Sequence, residues 1–308
     1  MKRRALLLAI PLSAFVLAAS AQEKTASPEA SGMATESVIV TAPKLRPEKA
    51  LDNFIIAHAA PSSILGKIAR WKTGICPITI GLPDKLNLYV TQRIIRVAML
   101  AGAPLESSEP CRPNVSVIAT DRAQEVLDLI RTRHGALLGF HYASQARDIA
   151  TMRYPIQAWY STATEDFWGF IQADTPGLHF GKIIPKVEGM SSILHVSGFR
   201  GNDGLKSQFA TVIILVDTRK IVGRQIGALA DYIAMLALSQ VKTYETCESL
   251  PSITNLMARD CGDETRPNAL TDIDVAYLRG LYRMAAGGTF VGERGSIAYA
   301  MKKDLGGY

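Results

Sequence analysis

The chain has little charge and few aromatic rings, and several catalytic spacings are missing from it. Of 308 residues, 20% are charged and 7% aromatic beside 48% hydrophobic, a globular composition that excludes intrinsic disorder of the whole. No G-X-Y period runs through it, which excludes a collagen-like rod. The net charge is +6, but Lys2, Arg3 and Arg4 supply three of those charges at the extreme N-terminus, so the remainder carries no nucleic-acid footprint. There is no C-x-x-C, and the five histidines, His58, His134, His141, His179 and His195, form no pair at helical spacing, so no metal site is written locally. G-x-S-x-G and the G-K-[ST] phosphate loop are also missing. No internal repeat appears, and no apolar run beyond the N-terminus approaches the roughly 20 residues of a membrane span.

The N-terminus carries an export address. Met1 to Arg4 is basic, Ala5 to Ala19 is apolar, and Ala19-Ser20-Ala21 offers the small residues that a signal peptidase reads. Residues 1–21 are therefore expected to be removed, and no cysteine near the cut marks a lipoprotein. Residues 22–48, rich in Ala, Ser, Pro, Glu and Lys, read as a flexible leader, and 49–308 as a single domain in the periplasm or outside the cell. The four cysteines, Cys76, Cys111, Cys247 and Cys261, suit two disulfides in an exported chain. Three pairings are open, and proximity favours Cys76–Cys111 with Cys247–Cys261.

Apolar segments alternate with turn signals from Leu51 onward. Ile64–Lys72 is amphipathic. Ile75–Gly81 reads as a strand, Leu88–Leu100 as a helix stopped by Gly102, and Asn114–Thr120 as a strand with alternating burial. Asp121 is placed to cap a helix containing Leu127 and Ile130, with Arg131 to His134 at its C-terminal end. Pro155–Tyr160 and Ser192–Gly198 look like strands, which would place His195 in the core. Gly198–Gly204 reads as a hairpin turn. Phe209–Val216 is a continuous apolar run, hence a strand buried on both faces, and it leads into a helix at about 223–241. That helix is apolar all round, a core helix, with Asp231 as its only charge between Gly227 and Leu238. Buried, this carboxylate must meet a donor. The structural reading is that it fixes a neighbouring loop, and the functional one is that it works in a ligand cleft. Ile297, Ala298, Met301 and Leu305 set one face of a last helix.

The order of these pieces resembles that of zincin metalloproteases. In that family a buried strand leads to a helix bearing H-E-x-x-H, then to an S-I-M-N-like turn, then to a closing helix that begins L-[ST]-x-x-D. Here the strand precedes Ala230-Asp231-Tyr232-Ile233-Ala234, then Ser252-Ile253-Thr254-Asn255, then Leu270-Thr271-Asp272-Ile273-Asp274. The resemblance implies an α+β, zincin-like fold: a mixed β-sheet, packed helices and the central helix at about 223–241. It also implies that the zinc ligands are lost, because both histidines fall on alanine, at Ala230 and Ala234, and the general-base glutamate on Asp231. Three protein ligands and an open water position make a catalytic zinc, and alanine has no lone pair. The expectation is thus a non-catalytic exported protein without metal or cofactor that binds a protein or envelope partner. The competing expectation is a hydrolase with an unconventional site involving Asp231.

Overall fold

The apolar run Phe209–Val216 becomes the middle of the longest strand, β5 (Lys206–Asp217), and lies at the centre of the sheet. The structure, a computed structural model, describes residues 47–306 except 109, 141, 179–193, 199–200 and 242–245. The expected signal peptide, most of the leader, His141, His179 and parts of the segments 192–198 and 198–204 fall outside the described residues.

Strand β1 (Pro77–Ile80) leads through α2 (Asp84–Ala101) to β2 (Val115–Thr120), which is followed by α3 (Ala123–His134). A short helix α4 (Ala146–Ile149) precedes β3 (Ile156–Glu165) and β4 (Ile171–Ala173). The sheet order is β1-β2-β5-β3-β4, parallel from β1 to β5 and antiparallel from β5 to β4. Pairing of β3 with β5 shifts between Ser161 and Thr162, which leaves Ala210 as a bulge. With α1 (Pro47–His58), α5 (Ile226–Leu238), α6 (Asp272–Arg283) and α7 (Phe290–Asp304), this is an α+β fold of seven helices and a mixed five-stranded sheet among the described residues.

Alternation along β5 explains the two cores. Val212, Ile214 and Val216 join the larger core with residues of α1, α2, α5, α6 and α7, while Ile213 and Leu215 meet Leu127 and Ile130 of α3 on the other face. Helix α2 ends as its sequence dictates, with Gly102 left-handed at φ 75° and its N–H turned back to the last carbonyls. Helix α5 is buried continuously from Ala228 to Leu238, so its C-terminal carbonyls have no water and need donors. Three aromatic side chains supply them: Trp71 Nε1 donates to Ala237 O (2.8 Å), Tyr160 OH to Leu236 O (2.9 Å) and Tyr282 OH to Leu238 O (2.9 Å).

Several local expectations are corrected. Ile64–Lys72 is irregular, because isolated bridges Pro61–Ile68 and Arg70–Gln208 hold it against other segments. Its spacing reflects side chains sent inward one at a time: Trp71 to α5, and Arg70 Nη1 to the carbonyls of Leu281, Tyr282 and Met284 at the end of α6. Asp121 does not cap α3; Arg122 is the N-cap, without a side-chain bond, and its N–H is taken by Thr120 Oγ1. Residues 194–198 are not a strand. Ser197 N–H donates to Asp203 O at 2.7 Å, which joins this segment to the described residues 201–204.

Both disulfides pair sequence neighbours, Cys76–Cys111 (Cα–Cα 6.0 Å) and Cys247–Cys261 (5.1 Å), which fits an oxidising compartment. Residues Leu45–Tyr308 form one unit. Among the described residues no helix is long and apolar enough to cross a membrane.

Candidate functional site

The order strand, apolar helix, turn, closing helix is present as β5, α5, the 3-10 turn Ile253–Met257 and α6. Ala230 and Ala234 are completely buried in the core. Asp231 is buried as well, and both of its oxygens are occupied. Arg93 of α2 grips it in a fork, Nε to Oδ1 and Nη2 to Oδ2 (2.9 Å), and the Leu270 N–H adds a third bond at 2.8 Å. Charge-assisted, bidentate pairing of this kind fixes position. The carboxylate thus ties α2, α5 and the segment before α6 together, and the hydrogen bond to Arg93 holds the guanidinium above its ordinary pKa. These residues do not fit a catalytic zinc: two of the three are methyl groups and the third is held by an arginine. Among the described residues no group of three His, Cys, Asp or Glu is placed to hold a metal ion.

A second cluster joins the turn to the closing helix. Ser252 Oγ donates to Asp274 Oδ1 (2.6 Å), and Ile253 N–H and Thr271 N–H donate to Oδ2 (both 2.9 Å). Thr271 and Asp274 form a capping box at the start of α6. From Ser252 the chain of contacts continues through Thr254 Oγ1 (2.8 Å) to His58 Nε2 (2.9 Å), whose Nδ1 lies 2.8 Å from Phe54 O. Serine, histidine and aspartate therefore meet in space, but not in the order that activates a nucleophile, since the serine donates straight to the carboxylate. All four side chains are buried. Burial pushes His58 down to about 4, so it is neutral at pH 7, and burial pushes Asp274 up against the lowering effect of its donors. The cluster is a clamp between α1, the turn and α6.

The third arrangement was not legible in the sequence. Asp166, fully buried at the end of β3, accepts Trp168 N–H (2.8 Å), Phe170 N–H (2.8 Å), His195 N–H (3.0 Å) and the His195 ring at Nδ1 (2.9 Å). Burial raises its pKa, but the donors from His195, Phe170 and Trp168 outweigh this and hold the carboxyl below its usual range. The carboxylate accepts a hydrogen bond from Nδ1–H, so in the neutral ring Nε2 keeps its lone pair. The side chain of His195 is 42% exposed, not in the core, because residues 194–198 form no strand. Beside it Phe167 (50% exposed) and Trp168 (70%) stand edge to face at 5.4 Å, and Phe170 lies 5.7 Å from the imidazole. His134 closes α3 in its last, basic turn.

Comparison of the chain with protein-family models, with curated proteins and with solved structures finds no match.

Proposed function

We propose that the chain is an exported, non-catalytic binding module built on a zincin-like scaffold, acting in the periplasm or outside the cell on a protein or envelope partner. The carrying observation is the filling of the helix that would bear the catalytic ligands: Ala230 and Ala234 are sealed in the core, and Asp231 is held by Arg93 and Leu270. Export is supported by the basic and apolar N-terminus and by the two disulfides. Binding is supported by the exposed pair Phe167 and Trp168, which a buried carboxylate holds in a fixed turn. Large apolar rings kept in water by deliberate hydrogen bonding mark a recognition surface.

The experiment has two arms. Elemental analysis of the untagged mature protein after zinc supplementation is expected to find no stoichiometric zinc; about one zinc per chain overturns the non-catalytic reading. A photo-crosslinking residue at position 168 is expected to give a discrete adduct in exporting cells that the same residue at exposed Val222 does not give. Equal labelling at both positions overturns the assignment of the surface.

A further inference from the structure

The hairpin of β3 and β4 turns at Asp166–Phe170, and this tip spends its main-chain donors inward. Asp166 N–H donates to Phe170 O (2.8 Å), Phe167 N–H to His195 O (3.4 Å) and Gly169 N–H to Asp166 O (3.1 Å), while Trp168 N–H and Phe170 N–H both donate to Asp166 Oδ1 (2.8 Å each). All five main-chain N–H groups are occupied. The acidic side chain of the turn is fully buried, so the residues that reach outward, Phe167 and Trp168, carry no charge. Val196, next along from the carbonyl that receives Phe167, is 62% exposed and extends the apolar surface.

These properties separate one class of partner from the others. A glycan or a peptide is fixed by hydrogen bonds as well as by rings, and the tip has no main-chain N–H left to give. Nor do its rings make one flat stacking platform, since Phe167 and Trp168 stand at 82° to each other. A lipid surface asks for the opposite, an uncharged apolar projection whose backbone donors are satisfied internally, because the acyl region offers no acceptor. Tryptophan suits the boundary of that region, where its ring is in apolar surroundings and its indole N–H stays among the headgroups. The positive excess that remains in the chain once Lys2, Arg3 and Arg4 are set aside favours an anionic leaflet.

We infer that Phe167 and Trp168, with Val196 beside them, form a shallow membrane anchor that enters the boundary between headgroups and acyl chains of an anionic bilayer. This rests on the recognition surface proposed above and names its partner as lipid.

Of the three tryptophans, Trp71 and Trp159 are buried, so a lipid-dependent change in emission reports on Trp168. The mature protein is mixed with vesicles of phosphatidylethanolamine and phosphatidylglycerol and floated through a density gradient. It is expected to float with the vesicles, with a blue-shifted emission that bromine on the acyl chains quenches. Trp168→Ala and Phe167→Ala are each expected to lower the partition coefficient about tenfold. Val222→Ala, at an exposed residue beyond the other end of β5, is expected to leave it unchanged. The proposal is overturned if the parent does not float, if Trp168→Ala binds as the parent does, or if the emission does not move on binding, surface charge alone then being responsible. A crosslink from position 168 to a protein, without vesicle binding, overturns the lipid partner and leaves the recognition surface standing; absence of both removes the two together.

Discussion

Replacing Arg93 by methionine is the sharpest test of how Asp231 is used. The Asp231 side chain is 2% exposed and that of Arg93 23%. The substitution keeps the aliphatic stem and removes the fork, which leaves a buried carboxylate with the Leu270 N–H as its remaining donor. Stripping one partner from a buried pair costs ~3–5 kcal/mol, and because Arg93 is partly hydrated the lower end applies, about 3 kcal/mol. At roughly 2–4 °C per kcal/mol for a domain of this size, the Tm should fall by about 6–12 °C. Asp231→Leu removes the buried charge itself and leaves only the Leu270 N–H and a half-hydrated arginine unpaired. The double variant Arg93→Met/Asp231→Leu should therefore be about as stable as Asp231→Leu alone and much more stable than additivity predicts. Urea denaturation of the four proteins, followed by circular dichroism, reads the coupling directly. A cost below ~0.5 kcal/mol for Arg93→Met, or strict additivity, would refute the view that the pair is the structural link between α2 and α5.

Acid should weaken the clamp at His58. A histidine whose pKa falls from 6.5 to about 4 on folding binds fewer protons in the native state, so its stabilising effect is complete above pH 6.5 and is lost as pH falls toward 4. That drop corresponds to about 3 kcal/mol, and His58→Gln should remove most of this slope from urea midpoints measured between pH 4 and 7; parallel slopes would exclude His58 as the source. Thiol counting on denatured, unreduced protein should find no free cysteine. Opening Cys247–Cys261, with its sequence separation of 14, should cost about 3 kcal/mol and opening Cys76–Cys111, with 35, about 4, so the second reduction should lower the Tm more; the reverse order would count against loop closure as the source.

What was legible in the sequence is what depends on local pattern. Phe209–Val216 could only be a strand buried on both faces, Gly102 marks the end of α2, and the apolar surround of Asp231 announces a core helix. Proximity in sequence was enough to favour the cysteine pairs. What could not be read depends on partners far away along the chain. Arg93 meets Asp231 across 138 residues and His58 meets Thr254 across 196, and neither carries a local signature. Ile64–Lys72 looked amphipathic because Trp71 and its neighbours fill the core, but the carbonyls that its side chains satisfy belong to α5 and α6. Asp166 drew no notice because the turn it organises borrows a histidine 29 residues later, and an acidic residue after a strand is otherwise commonplace.

The late position of β5 also governs when the molecule is able to fold. A chain that emerges N-terminus first from a ribosome or a translocation channel delivers β1 and β2 early, but their central neighbour is residues 206–217, and α5 and α6 follow later still. Until then Val115, Val117 and the apolar face of α2 have only one another to pack against, without β5, α5 and α6 to complete the core. Pairings this distant slow folding and leave strand edges unprotected in the interval. Assembly is therefore expected to wait until most of the chain has emerged, which gives a holding chaperone a physical task on the early strands.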